Sequence, residues 1–305
     1  MNYALQNLKR NGKIMWRLLR PHTLTASFIP VSIGTALAIA ENHFHLPIFL
    51  AMMLASILIQ SATNMFNEYY DYQRGLDTAD SVGIGGAIVR DGVNPKLILN
   101  LAILFIMISV LLGIYITLNS SIWIAVVGVI SIAVGYLYTG GPYPIAYSPF
   151  GELFAGVFMG LVIILITFYI QTGGITTESV LFSIPTSILI SAILTANNIR
   201  DLDGDQKNGR RTLVILLGKA RAIKLLLGMF LLSYLWMIGM VLLQIAPFWV
   251  LLTLIALPKA IEAIRIFKEN QTPRGMMPAM KATAELHTYF GILVTIGILI
   301  HHLIQ

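Results

Sequence analysis

Two acidic clusters stand in this chain where acid is costly. Asn67-Glu-Tyr-Tyr-Asp71-Tyr-Gln-Arg-Gly-Leu-Asp77 and Asn197-Asn-Ile-Arg-Asp201-Leu-Asp-Gly-Asp205 each follow directly on a membrane-length apolar run. Carboxylates beside hydrocarbon are expensive and mark function, so two clusters imply a shared cationic ligand. If helix continues through the motifs, Asn64, Asn67 and Asp71 line one face, as do Asn197, Asp201 and Asp205, because residues three and four apart are neighbours. Hard oxygen donors without His or Cys suit Mg²⁺, which keeps waters and is usually completed by phosphate oxygens. The ligand implied is a Mg²⁺ diphosphate. Arg74 lies inside the first motif, and Lys207, Arg210 and Arg211 follow the second. Arg pairs bidentately with phosphate and Lys offers a point charge, so these loops suit an anion that the carboxylates alone would repel. Solvated loop charge explains any one of these residues; repetition at both sites is harder to assign to solubility.

The elements that must position these groups follow from composition. With 305 residues, 57% hydrophobic and 11% charged, and a mean hydropathy of +0.79, the chain cannot bury its apolar side chains in one soluble core. It reads as an all-α integral membrane protein. A hydrocarbon slab about 30 Å thick needs roughly 20 apolar residues per helical pass. Nine runs qualify, near residues 22–41, 47–66, 96–117, 121–138, 150–170, 178–198, 222–243, 246–265 and 286–303. They show no period-two alternation, which disfavours barrel strands. Residues 1–305 read as one membrane domain with acidic cap loops at about 67–95 and 199–221. Each motif sits at the end of a span, begins with Asn and has Asp four residues later, so spans two and three correspond to six and seven as an internal repeat.

Charge distribution supplies the orientation. The 20 Lys and Arg residues fall on or near one side of the nine-span map, while the opposite loops, such as 41–45 and 171–178, hold none. Basic loops face the cytoplasm, which places the N-terminus inside, the C-terminus outside, and both acidic motifs on the cytoplasmic face of the cell membrane. The net charge of +6 is thus a topology signal, aided by anionic lipid, and not a nucleic-acid surface. A cleaved signal peptide is disfavoured for the first run because the basic region before it is long. The absence of cysteine removes disulfides, thiolate metal sites and cysteine nucleophiles.

Several residues admit two readings. Tyr69, Tyr70 and Tyr72 suit either stabilisation of a cation or interfacial anchoring. Tyr138 and Tyr143 flank a Gly-Gly-Pro turn and suit an acceptor site or an aromatic belt. Lys281 is a diphosphate contact or a snorkelling residue. Glu152 is an acceptor contact, a base, or an acid favoured by a helix N-terminus. Arg20 binds an anion or serves topology.

The quoted motifs, with nine spans, resemble the UbiA superfamily of intramembrane aromatic prenyltransferases, and above all its 1,4-dihydroxy-2-naphthoate polyprenyltransferase branch of menaquinone synthesis. Further matches are Arg20-Pro-His-Thr-Leu, Ser81-Val-Gly-Ile-Gly-Gly-Ala, Tyr138-Thr-Gly-Gly-Pro-Tyr-Pro, Gly209-Arg-Arg-Thr-Leu, Leu217-Gly218 and Met280-Lys281-Ala-Thr. The resemblance covers nearly the whole chain. It implies nine helices in a ring around a central cavity, capped by the acidic loops and open sideways to the lipid bilayer. It also implies Asn67, Asp71, Asp201 and Asp205 as holders of Mg²⁺, with Asp77, Asn197, Asn64 and Asn198 as supporting ligands or a surrounding shell. Asp71, Asp201, Lys281 and Arg20 would carry catalysis. Arg74, Lys207, Arg210, Arg211, Tyr138 and Tyr143 would bind substrate. The implied reaction joins a polyprenyl group from polyprenyl diphosphate to dihydroxynaphthoate with loss of CO₂. Many members have Asp directly after the first Asn and another acid four residues after the next Asp; this chain has Glu68 and Gly75, with Asp77 displaced.

Three alternatives differ in acceptor or class. A prenyltransferase for 4-hydroxybenzoate or glyceryl phosphate shares the motifs. A cation transporter would need an inverted repeat, but spans two and six run in the same direction. A phosphatidyl-alcohol transferase would show Asp-Gly-x-x-Ala-Arg, which is absent from the chain.

Overall fold

Apolar runs of this length satisfy their backbone polar groups internally as helices, and the described part of the chain is helical throughout, without strands. The computed structural model describes residues 12, 14–76 and 86–304; Asp77 and most of the Ser81–Ala87 motif lie outside the described residues. In chain order the helices are α1 (Pro21–Ala40), α2 (Leu46–Gln73), α3 (Pro95–Leu118), α4 (Ile122–Leu137), α5 (Gly151–Thr172), α6 (Thr177–Lys207), α7 (Leu213–Leu217) and α8 (Lys219–Leu242). A 3₁₀ segment, Phe248–Ala256, leads into α9 (Leu257–Glu269), and α10 (Pro273–Ile304) closes the order. Among the described residues, seven helices (α1, α2, α3, α5, α6, α8 and α10) are long and apolar enough to cross a membrane. The fourth expected run forms the shorter α4. The eighth is not one α-helix: nine residues near its start, Phe248–Ala256, wind as 3₁₀ before α9 begins.

The core joins α1, α5, α6, α8, the 3₁₀ segment, α9 and α10 through residues such as Ile33, Ile164, Leu189, Phe230, Val250, Phe267 and Phe290. Leu111, Leu118, Trp123 and Val129 of α3 and α4 face outward, as expected where the solvent is hydrocarbon.

Two local features position the site. First, the first motif is helical from Asn67 to Gln73 and the second throughout, so at these positions helix stands where acidic loops were expected: α2 continues to Gln73 and α6 to Lys207. Their ends are alike. Leu76 N–H donates to Asp71 O at 2.9 Å and Gly75 N–H to Tyr72 O at 3.0 Å; Arg210 N–H donates to Asp205 O at 3.0 Å and Gly209 N–H to Gln206 O at 3.2 Å. These are Schellman caps, which require a left-handed residue after the helix; Gly75 (φ 70°) and Gly209 (φ 76°) supply it. The caps align Asn67, Asp71 and Gly75 with Asp201, Asp205 and Gly209. The repeat therefore runs one helical turn out of the register suggested by pairing Asn67 with Asn197. Second, α5 contains a π stretch, Gly156–Val162. A methyl on Gly156 would overlap Ser191, and one on Gly160 would overlap the Cα of Ser187, so these glycines let α5 lie directly on α6.

Candidate active site

A cavity of about 550 Å³ lies among the helices. Arg20, Thr23, Asn64, Asn67, Tyr138 and Asn197 contribute polar groups at one end, and it runs past Ile59, Phe158 and Ile166 to Thr117 and Ile122. Asp71 and Asp201 stand one helical turn beyond the cavity residues Asn67 and Asn197.

Arg210 joins the two acidic helix ends. Its guanidinium meets Asp71 Oδ1 at 3.0 Å and Asp205 Oδ1 at 3.1 Å. It also stacks over the Tyr147 ring, 5.0 Å from the centroid. Burial works against its charge, but Asp205 and Asp71 outweigh that and raise its pKa above the ordinary arginine value. Position follows from the cap, because Arg210 is the residue whose N–H closes the end of α6. Asp201 is held by its own neighbour: Arg200 Nε donates to it at 2.7 Å, and the buried Arg200 also rests on the sulfurs of Met277 and Met280.

The carboxamides divide by role. Asn64 is a tether: its Nδ2 donates to Leu19 O and to Thr23 Oγ1, both at 2.9 Å, tying α2 to the entry of α1. Asn67 Oδ1 accepts from Thr139 Oγ1 at 2.7 Å. Asn197 Oδ1 is enclosed without a hydrogen-bond partner. Asn198 donates to Glu152 Oε1 at 2.8 Å.

Other expected residues separate into those brought to the mouth and those turned away. Arg74 reaches back to the carbonyls of Thr139 and, at 2.9 Å, Gly141, and its guanidinium lies over Tyr70 and Tyr147. It thereby pins the Tyr138–Gly141 turn against the first motif. Arg20 begins α1 with a left-handed backbone, φ 49°, a conformation that costs a non-glycine residue free energy, and its Nη2 pairs with Glu68 at 3.3 Å. Lys207 and Arg211 are exposed; the backbone N–H of Arg211 donates to Tyr147 O at 2.9 Å. Tyr143 projects outward, 91% exposed. Lys281 is not gathered with the acids: it is exposed and pairs with Glu285 at 3.5 Å, a carboxylate that Lys259 also holds at 2.7 Å.

Glu68 has a task that the motif comparison did not reveal. Fully buried, it accepts from Gly86 N–H at 2.7 Å, from Ile88 N–H at 3.3 Å and from Arg20. The residue that departs from the family pattern thus anchors the far end of the first loop. A buried acid within an apolar helix was the available signal. Tyr147 and Arg200 carried no comparable signal, since their roles arise from packing between distant segments.

Mg²⁺ fits this donor set on chemical grounds. Asn67, Asp71, Asp201, Asp205 and the unpartnered Asn197 are hard oxygen donors at two adjoining helix ends. Among the described residues, no three His, Cys, Asp or Glu side chains are close enough to hold an ion by themselves.

Fold and site together define a multi-pass membrane enzyme with an acidic, oxygen-rich mouth over a largely apolar cavity. The chain belongs to the UbiA prenyltransferase family, whose model matches residues 27–281. It is 52% identical over 291 residues to the 1,4-dihydroxy-2-naphthoate octaprenyltransferase of Bacillus subtilis, covering 95% of this chain and 94% of that relative. Two solved structures share the fold. A UbiA homolog from Aeropyrum pernix K1 in apo form has a TM-score of 0.68 at 17% identity, covering 92% of this chain and 98% of its own. A UbiA homolog from Archaeoglobus fulgidus bound to DMAPP and Mg²⁺ has a TM-score of 0.62 at 15% identity, with the same coverage.

Proposed function

We propose that this chain transfers a polyprenyl group from polyprenyl diphosphate to 1,4-dihydroxy-2-naphthoate, with loss of CO₂ and diphosphate, giving demethylmenaquinol. The observation that carries this reading is Arg210, a cation shared by the two acidic helix ends, set one turn beyond a largely apolar cavity. The likeness to the Bacillus subtilis relative along nearly its whole length supports the acceptor. In this reading nine passes form a ring in the cell membrane, and the distribution of basic residues supports a cytoplasmic mouth and N-terminus with the C-terminus outside.

Asn67, Asp71, Asp201 and Asp205 would hold Mg²⁺, with Asn197 in support, and the ion would supply positive charge against the leaving diphosphate. Arg210 turns its guanidinium from the carboxylates toward the phosphate oxygens, where planar bidentate donors are most effective. Arg74 keeps the Tyr138 turn in place beside the allylic carbon. The apolar walls accept the prenyl tail and exclude water that would otherwise capture the allylic cation. As the allylic C–O bond to diphosphate breaks, the ring carbon that bears the carboxylate bonds to the allylic carbon, and cleavage of its bond to the carboxylate then releases CO₂ and restores the aromatic ring, without a protein nucleophile.

Isolated membranes containing the chain, supplied with polyprenyl diphosphate and each of the three acceptors, test this. The expected result is prenylated naphthoate as the main product, abolished by EDTA and restored by Mg²⁺. Turnover that persists in EDTA, or a preference for 4-hydroxybenzoate or glyceryl phosphate, would overturn it.

A further inference from the structure

Glu152 is a buried acid for which the mechanism above has no use. It is the second residue of α5, 3% exposed, and takes part in none of the ion pairs among the described residues. One oxygen, Oε1, accepts from Asn198 at 2.8 Å. The other, Oε2, is enclosed and has no donor. Buried acceptors are nearly always satisfied, and an exception calls for an explanation such as a ligand.

The surroundings supply one. Phe154 and Ala155, the next turn of α5, line the cavity, as do Tyr138 and Asn197. The Tyr138 hydroxyl lies against Gly151, the residue before Glu152. The backbone carbonyl of Glu152 accepts from Ser191 Oγ at 2.7 Å, and the close packing of Gly156 and Gly160 on α6 fixes α5 against the helix that carries Asn198. The carboxyl is thus held from two sides, on the turn of α5 that leads into the cavity-lining Phe154 and Ala155, and its Oε2 has no donor among the described residues.

We propose that Glu152 is the residue that selects the aromatic acceptor: Oε2 accepts a hydrogen bond from a ring hydroxyl, while Asn198 fixes the carboxyl through Oε1. This rests on the proposed prenyl transfer to a hydroxylated naphthoate. An O–H donor to a carboxylate makes a strong, charge-assisted bond. Such a bond also leaves more electron density on the phenolic oxygen and hence in the ring that must attack the allylic carbon. A site built around a substrate hydroxyl rejects the analogue lacking it far more sharply than an apolar pocket does.

The test compares wild type, Glu152→Ala and Glu152→Gln in isolated membranes. The acceptors are 1,4-dihydroxy-2-naphthoate and the two monohydroxy-2-naphthoates that each lack one hydroxyl. Wild type should favour the dihydroxy compound by at least about 10²-fold in kcat/KM over one of the two analogues. Glu152→Ala should lower kcat/KM for the dihydroxy compound by about that factor and abolish the discrimination, with the KM for polyprenyl diphosphate unchanged. Glu152→Gln, which keeps a neutral oxygen acceptor, should fall between, and it decides the matter if the Ala variant does not accumulate. An active wild type whose discrimination survives the substitutions overturns the proposal alone. A wild type inactive on every hydroxynaphthoate overturns the parent reading with it.

Discussion

Replacing Arg210 by alanine should weaken the protein most where no other cation is available. The side chain is 15% exposed, and its partners Asp71 and Asp205 are 19% and 12% exposed, so the pairs lie between surface bridges, worth about 0–1 kcal/mol, and fully buried ones, whose breakage costs about 3–5 kcal/mol. A value of about 2.5 kcal/mol follows for the two carboxylates left facing each other. Loss of the contact with Tyr147 adds about 0.5 kcal/mol. At about 2 °C per kcal/mol for a chain of this size, Glu- and Asp-rich ends without Arg210 should lower the melting temperature by about 6 °C in EDTA. Mg²⁺ with diphosphate supplies the missing positive charge, so most of the deficit should vanish when both are added. The assay is thermal unfolding of the detergent-solubilised protein, followed by intrinsic fluorescence, with and without the added ligand. Prenyl transfer should also fall by about 10²-fold, the scale of losing one preorganised donor to a developing anion. Equal melting of variant and wild type in EDTA, or a deficit unaffected by Mg²⁺ diphosphate, would refute the idea that Arg210 and the metal serve the same carboxylates.

Two further outcomes follow from single contacts. Glu68→Gln retains one acceptor oxygen but loses the charge that faces Gly86, Ile88 and Arg20; a loss of about 1–3 kcal/mol is expected, with faster hydrogen exchange at the Gly86 and Ile88 amides, and unchanged protection there would contradict the anchoring role. Gly160→Ala should cost about 1–3 kcal/mol by overpacking and reduce turnover by displacing α5. Because the overlap is with the backbone of Ser187, adding Ser187→Gly should not restore the protein; full rescue would show that the side chain was the obstacle.

Much of the site was legible because its signals are local. Carboxylates next to apolar runs stand out whatever the packing, and Asn67, Asp71, Asp201 and Asp205 do stand at two helix ends joined through Arg210. The position of Arg74 was legible too, but its partners were not: it holds the carbonyls of Thr139 and Gly141, groups that no residue-type pattern distinguishes. Lys281 illustrates the opposite case. Its place in the chain suggested an anion contact, whereas the direction of its side chain on α10 leads it to Glu285.

By itself the sequence determined the membrane class, the apolar runs and the placing of acidic residues beside them, because these depend on composition and on spacing within one helix. It also contained the glycines that end α2 and α6, although the shared spacing from Asp71 to Gly75 and from Asp205 to Gly209 acquires meaning only as a helix cap. Tertiary structure decided which charges meet. Arg210 reaches Asp71 across 139 positions of chain, Glu68 turns to the first loop, and Glu152 is brought to Asn198 by two glycines that let α5 lie on α6. Such pairings depend on the distances and directions between helices, which the order of residues along any one helix does not specify.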